Sequence, residues 1–126
     1  MDNCITSLGL MSGTSLDGID ASIINSDGNS HLKIKVNHFY EYKAVFRQKL
    51  RDYIKNINSI EDITNSISEY KNLEKEITLL HSDISKKLIS KHSTEVDLVG
   101  FHGQTIIHKP KKNIQFRWGT QIYYLN

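Results

Sequence analysis

The sequence predicts a mixed α/β domain: an antiparallel three-strand meander, then helices, then a strand that returns to the sheet. Three observations predict it. Two turn-rich segments divide the opening of the chain into three apolar or alternating runs. The hydrophobic period then lengthens from two to steps of three and four. Finally a compact apolar run, Val96 to Phe101, follows the helical stretch.

Ile5 to Met11 is the first strand, apolar enough for a buried position. Ser12-Gly13-Thr14-Ser15-Leu16-Asp17-Gly18 is turn chemistry, with two glycines, small hydroxyls and an aspartate. Ile19 to Asn25 forms the second strand. Asp27-Gly28-Asn29 is a strong hairpin signal. Beyond it Leu32, Ile34 and Val36 alternate with Lys33, Lys35 and Asn37, a strand with one wet face that runs on through Tyr42. Phe46, Leu50, Tyr53, Ile54 and Ile57 then trace a helix stripe. A longer one follows through Ile60, Ile63, Ile67, Tyr70, Leu73, Ile77, Leu80, Ile84 and Leu88. Ser59 is its expected N-cap, with Glu61 and Asp62 in the first turn. The stripe is long for one globular helix, so a break is expected near Asn72. After the returning strand, Lys109 to Asn113 reads as a turn, Ile114 to Phe116 as a short strand and Trp118-Gly119-Thr120 as another turn. Ile122 to Leu125 looks like the start of a further element.

Composition excludes several function classes. The chain has 126 residues, 38% hydrophobic and 24% charged, which is ordinary for a globular protein and too apolar for disorder. Sixteen Lys and Arg against fourteen Asp and Glu leave a net charge of only +2, too small to argue for nucleic acid. No apolar run reaches membrane-spanning length, and the start lacks a secretory pattern. The one cysteine, Cys4, excludes an internal disulfide, so a reducing, cytoplasmic setting is expected.

Two segments carry candidate chemistry. In the turn after the first strand, glycines let backbone N–H groups converge on an anion, Thr14 and Ser15 add hydroxyls, and Asp17 is placed to act on Mg²⁺ through water. The loop lacks the Gly-Lys-Ser/Thr ending of a Walker loop. Its alternative reading is a hairpin turn whose Asp and Ser cap their own backbone. The second segment is Gly100-Phe101-His102-Gly103-Gln104-Thr105, with His108 beyond, directly after an apolar strand where open α/β sheets place ligands. Its polar groups suit sugar hydroxyls or phosphate; a strand-end turn is the alternative. His102 and His108 match no standard metal spacing. Asp20, early in the second strand, either bonds the preceding loop or approaches bound metal, or else sits at a solvent edge. Tyr40, Tyr42, Phe101, Phe116 and Trp118 line a sugar site or fill the core. His31, His38, His81 and His92 read as surface or helix-flank residues without a role.

Gly9-Leu10-Met11-Ser12-Gly13-Thr14-Ser15-Leu16-Asp17-Gly18-Ile19-Asp20 resembles the opening signature of the anhydro-N-acetylmuramic acid kinases. The Gly100-to-Thr105 segment, followed by His108 and Pro110, resembles that family's second motif. The resemblance implies a ribonuclease H-like domain of the actin, Hsp70 and sugar-kinase class, one of two domains around a nucleotide cleft. It implies that ATP, Mg²⁺ and water open the 1,6-anhydro ring and phosphorylate O6, giving N-acetylmuramic acid 6-phosphate in peptidoglycan recycling. Gly13, Thr14, Ser15, Leu16, Asp17, Gly18, Ile19 and Asp20 match the family's phosphate-binding segment; His102, Gly103, Gln104 and Thr105 match a substrate-cleft motif.

The family's catalytic base is an aspartate in an Asp-Phe-Arg segment, and no such segment occurs in these 126 residues. Gln115 and Gly119 loosely echo the Gln-Ile-Gly segment that normally comes next. The expectation is therefore residues 1–126 as the amino-terminal part of a two-domain kinase, inactive alone, whose full-length form is a homodimer. The alternative is a catalytically silent nucleotide- or sugar-binding module.

Overall fold

The computed structural model describes residues 3–109 and 114–118, with side chains of 107–109 and 114–116 left aside. The turn at 110–113, Pro110, Gly119, the element from Ile122 and the side chains of His108, Gln115 and Phe116 lie outside the described residues. Strands β1 (Ile5–Ser12), β2 (Gly18–Ser26) and β3 (Leu32–Glu41) precede helices α1 (Ala44–Lys55), α2 (Ile60–Asn65) and α3 (Ile67–His92). Strands β4 (Leu98–Lys109) and β5 (Ile114–Trp118) follow. The sheet order is β3-β2-β1-β4-β5: an antiparallel meander, a parallel β1–β4 pair and an antiparallel β4–β5 pair. This is the expected α/β architecture, with the helical crossover that a parallel pair requires.

Local chemistry explains the turns and caps. Asp27 folds the β2–β3 hairpin by accepting from the N–H groups of Asn29, Ser30 and His31 at 2.9, 3.1 and 2.9 Å, while Gly28 takes φ +74°. Those donors hold the Asp27 carboxyl below its usual pKa. Ser59 makes a full capping box: its hydroxyl accepts from Asp62 N–H at 3.3 Å, and the Asp62 carboxylate accepts from Ser59 N–H at 3.1 Å. Ser59→Ala should cost about 1 kcal/mol in a urea melt.

The helical break falls at Ser66 rather than near Asn72. Ser66 Oγ donates to the Asp62 carbonyl at 2.7 Å and contacts Tyr53 Oη at 2.8 Å, drawing the backbone out of register there. Asn72 is simply an exposed position within α3. The returning strand also differs: it begins at Leu98 rather than Val96 and extends through the Gly100-to-Thr105 motif instead of ending before it. Its start is clamped to β1 by a reciprocal pair, Thr6 N–H to the Asp97 carboxylate at 2.9 Å and Asp97 N–H to Thr6 O at 2.8 Å.

The core lies between one sheet face and the helices. Leu8, Leu10, Ile19, Ala21 and Ile23 meet Leu50, Tyr53, Leu73, Ile77, Ile84 and Leu88 there, with Trp118 closing the β5 end against Tyr53 and Tyr70. Tyr42 and Trp118 are buried in this core, and Tyr40 and Phe101 pack against it. The opposite face carries Ser7, Gly9, Met11, Asp20, Ser22 and Gly100, by the β1–β2 and β1–β4 registers. His31, His38 and His92 are exposed as expected, but His81 is fully buried.

Candidate functional site

Both motifs converge at the carboxy-terminal end of β1. The segment from Gly13 to Asp17 links β1 to β2 and is pinned at three places. Leu16 drives its side chain into the core although its backbone sits at φ +59°, a left-handed conformation that disfavours a non-glycine residue. Asp17 O accepts Tyr42 N–H at 2.8 Å. Gly13 O accepts the Gln104 carboxamide at 2.7 Å. Thr14, Ser15 and Asp17 remain exposed, whereas the side chain of Ile19 is a core residue. Gly18 is the point of closest approach to β3, a position with no room for a side chain. Arg47 on α1 lies 3.7 Å from the Asp17 carboxylate and 4.0 Å from that of Glu41, which places a cation beside the loop.

Under the loop runs a buried chain of polar groups. Gln104 Nε2 faces two carbonyls, Gly13 at 2.7 Å and Thr105 at 3.2 Å, which fixes its amide orientation. Its Oε1 accepts from Tyr42 Oη at 3.1 Å, and Tyr42 also contacts Ser12 Oγ at 3.2 Å. Ser12 Oγ lies 3.0 Å from His81 Nε2, and His81 Nδ1 lies 2.8 Å from the Ile77 carbonyl. A carbonyl can only accept, so Nδ1 carries the proton. In the neutral ring Nε2 is then the acceptor, and Ser12 donates to it. Burial pushes His81 down to about 4, aided by the nearby His102 and opposed by the Ile77 carbonyl. Burial also pushes Tyr42 up to about 12. With His81 and Tyr42 neutral, each of these buried groups has a partner.

A bulge makes this arrangement. The β1–β4 register steps from Leu10 opposite Phe101 to Ser12 opposite Gln104, so β4 carries one extra residue around His102 and Gly103. Gly103 takes φ +80°, which suits glycine. The extra residue turns Gln104 to the helix face, and Gly103, Gln104 and Thr105 are buried. Only His102 of the four stays partly open, its Nδ1 donating to Gly103 O at 3.1 Å.

On the other sheet face, at the same end, a shallow cavity of about 560 Å³ is lined by Asp20, His102, Arg117 and Met11 over Gly9 and Gly100. Asp20 therefore belongs with His102, across the sheet from the buried chain. Among the described residues no group of three metal-ligating side chains occurs, and no helix is long and apolar enough to cross a membrane.

Comparison with known proteins decides the family. The sequence model of the anhydro-N-acetylmuramic acid kinases matches residues 5–124. The chain belongs to that family. It is 45% identical over 119 residues to the anhydro-N-acetylmuramic acid kinase of Pelagibacter ubique, covering 94% of this chain and 32% of that protein. It is 33% identical over 122 residues to the Rhizobium etli kinase, covering 94% and 33%, and 31% identical over 115 residues to that of Brucella canis, covering 89% and 31%. This chain thus spans about a third of the length of the curated anhydro-N-acetylmuramic acid kinases it matches.

Within this family member, the sequence placed both motifs and named Gln104 and Tyr42, but it gave no role to His81 and no sign that these side chains join the motifs. His81 falls four residues after Ile77 and three before Ile84, on the apolar stripe of α3, so its periodicity carried the signal. Tyr42 shares the pleat face of Tyr40, which pointed inward. Nothing local marks Arg47 or Arg117; their positions depend on packing between distant segments.

Proposed function

We propose that this chain forms the amino-terminal, phosphate-binding part of a two-domain anhydro-N-acetylmuramic acid kinase. That enzyme uses ATP, Mg²⁺ and water to open the 1,6-anhydro sugar and phosphorylate O6. The observation that supports it best is the 2.7 Å bond from Gln104 to Gly13, which joins two motifs 91 residues apart at one end of the sheet. Above that bond, the exposed hydroxyls of Thr14 and Ser15 and the Asp17 carboxylate form a donor set suited to phosphate with a hydrated Mg²⁺. Arg47 supplies a cation at the rim of the loop. His102 and Asp20, in the open-face cavity, are the groups with access to a sugar.

Opening the anhydro ring needs a base on the water that attacks the anhydro carbon, and phosphoryl transfer to the O6 so freed needs a closed cleft around both reactants. Asp17 is committed to the loop beside Arg47 and Asp97 is tied to β1 at the far end of β4, while Asp20 and His102 lie in an open, shallow cavity that does not exclude water. The 126-residue chain alone is therefore expected to bind Mg-ATP weakly and to show no turnover. Amide NMR titration should give saturable shifts within residues 12–20, diminished by Asp17→Asn when Mg²⁺ is present. Sugar phosphate should form only when the remaining two-thirds of a family enzyme is supplied. Shifts elsewhere but not in this segment, or multiple turnovers by the chain alone, would count against the reading.

A further inference from the structure

The buried chain beneath the loop ends at a specific peptide group, and that peptide has two sides. Gly13 O points inward: it accepts from Gln104, a residue with no solvent exposure, at 2.7 Å, and more weakly from the Leu16 N–H across the turn at 3.4 Å. The described backbone contains no cis peptide, so the N–H of Thr14 projects from the opposite side of the same peptide plane. It therefore points outward, on an exposed residue, with no acceptor among the described residues. Had this peptide rotated the other way, a carbonyl lone pair would face the loop's outer side and repel an anion. The glycine makes that alternative accessible, because residue 13 has no side chain to bias the peptide.

We propose that Gln104 is a positioning residue, holding the Gly13–Thr14 peptide with its carbonyl buried and its N–H presented to a bound polyphosphate. This rests on the phosphate-binding role of the loop. The rest of the chain serves the same end. Tyr42 Oη donates its one proton to Gln104 Oε1 at 3.1 Å, keeping Nε2 aimed at Gly13, and Ser12 Oγ, held by His81, lies 3.2 Å from Tyr42 Oη on its other side. The coupling runs in both directions. An anion on Thr14 N–H polarises the peptide, makes Gly13 O a stronger acceptor and tightens the Gln104 bond.

The test uses the ¹⁵N-labelled 126-residue chain and inorganic tripolyphosphate without metal. In the wild type, Thr14 N–H should show a large downfield shift, and the Gln104 side-chain NH₂ signals should move with the same saturation curve. Gln104→Glu preserves size but at pH 8 cannot donate to Gly13, so affinity should fall about tenfold or more. As pH is lowered toward 5, the introduced carboxylate regains a proton to donate, and the variant's affinity relative to wild type at the same pH should recover. Tyr42→Phe removes the hydroxyl that keeps Gln104 Nε2 aimed at Gly13 but leaves the Gln104 donor itself, so affinity should fall in the same direction by a smaller factor, about threefold.

Equal affinity and an equal Thr14 shift in Gln104→Glu would overturn the proposal. So would weak binding that fails to recover at lower pH while the sheet amides stay native, since that marks a merely structural role. If the variant does not fold, the wild-type signals still decide: a Thr14 shift without a matching Gln104 shift refutes the coupling. Absence of any tripolyphosphate shift in the wild type would instead remove the phosphate reading of the loop, and this inference with it.

Discussion

Gly18→Ala should destabilise the protein by roughly 3 kcal/mol, lowering its melting temperature by about 10 °C or more. A methyl group there would run into the Tyr40 carbonyl oxygen. It would also lie 2.8 Å from Phe39 Cζ and 2.9 Å from Glu41 Cα. Two of these atoms are backbone of β3, so no rotamer change can relieve the clash. The strands must part where Gly18 pairs with Glu41, and the bond from Tyr42 N–H to Asp17 O lies next to that point. Loss of stability should thus accompany a displaced loop. Gly9→Ala is the matched control. A methyl at Gly9 meets nothing within 4 Å, so replacement should be neutral or should stabilise by less than about 1 kcal/mol. Thermal and urea melts of both variants test the contrast; equal effects would mean that the β2–β3 approach is looser than the structure has it.

Acid should weaken the fold through His81. Its pKa is about 4 in the native state against 6.5 as the ordinary value, because burial disfavours the charged ring, an effect that outweighs the opposing bond to the Ile77 carbonyl and is aided by the nearby His102. Between those values the unfolded chain binds a proton that the native state refuses. Stability is therefore full above about pH 6.5, falls as pH drops through the window, and levels off near pH 4. The loss reaches about 3 kcal/mol across the window. Protonation would also place a second N–H against Ser12 Oγ and force the buried chain to rearrange. The check is urea stability measured from pH 8 to pH 4 for wild type and His81→Gln. The variant should start lower and lose this component of the slope; parallel curves would show that His81 is not the titrating group. Asp27 does not confuse the window, since its lowered pKa confines its own contribution to more acid conditions.

The sequence by itself determined whatever depends on a few neighbouring residues. Asp27-Gly28 made the hairpin because an aspartate can accept three successive N–H groups while glycine takes the positive φ. Ser59 and Asp62 made the cap because their side chains reach each other's backbone within one turn. The apolar stripes of α1 and α3, the meander and the two family motifs were legible for the same reason. The helix break at Ser66 was not, because Ser66 bonds to both its own turn and Tyr53 of the preceding helix.

Only the tertiary structure decided which motif residues face inward. Alternation along a strand has period two, so one inserted residue reverses the sides of everything after it. The bulge at His102 and Gly103 does this in β4, turning Gln104 away from the open face and into the helix-side core. There it meets Gly13, Tyr42 and, through Ser12, His81, each contributed by a different part of the chain. A bulge depends on the partner strand's register, and burial of a histidine depends on what packs over it. Neither property resides in the local pattern, so the link between the two motifs, and the part of His81 in it, emerged only when the strands and α3 were assembled.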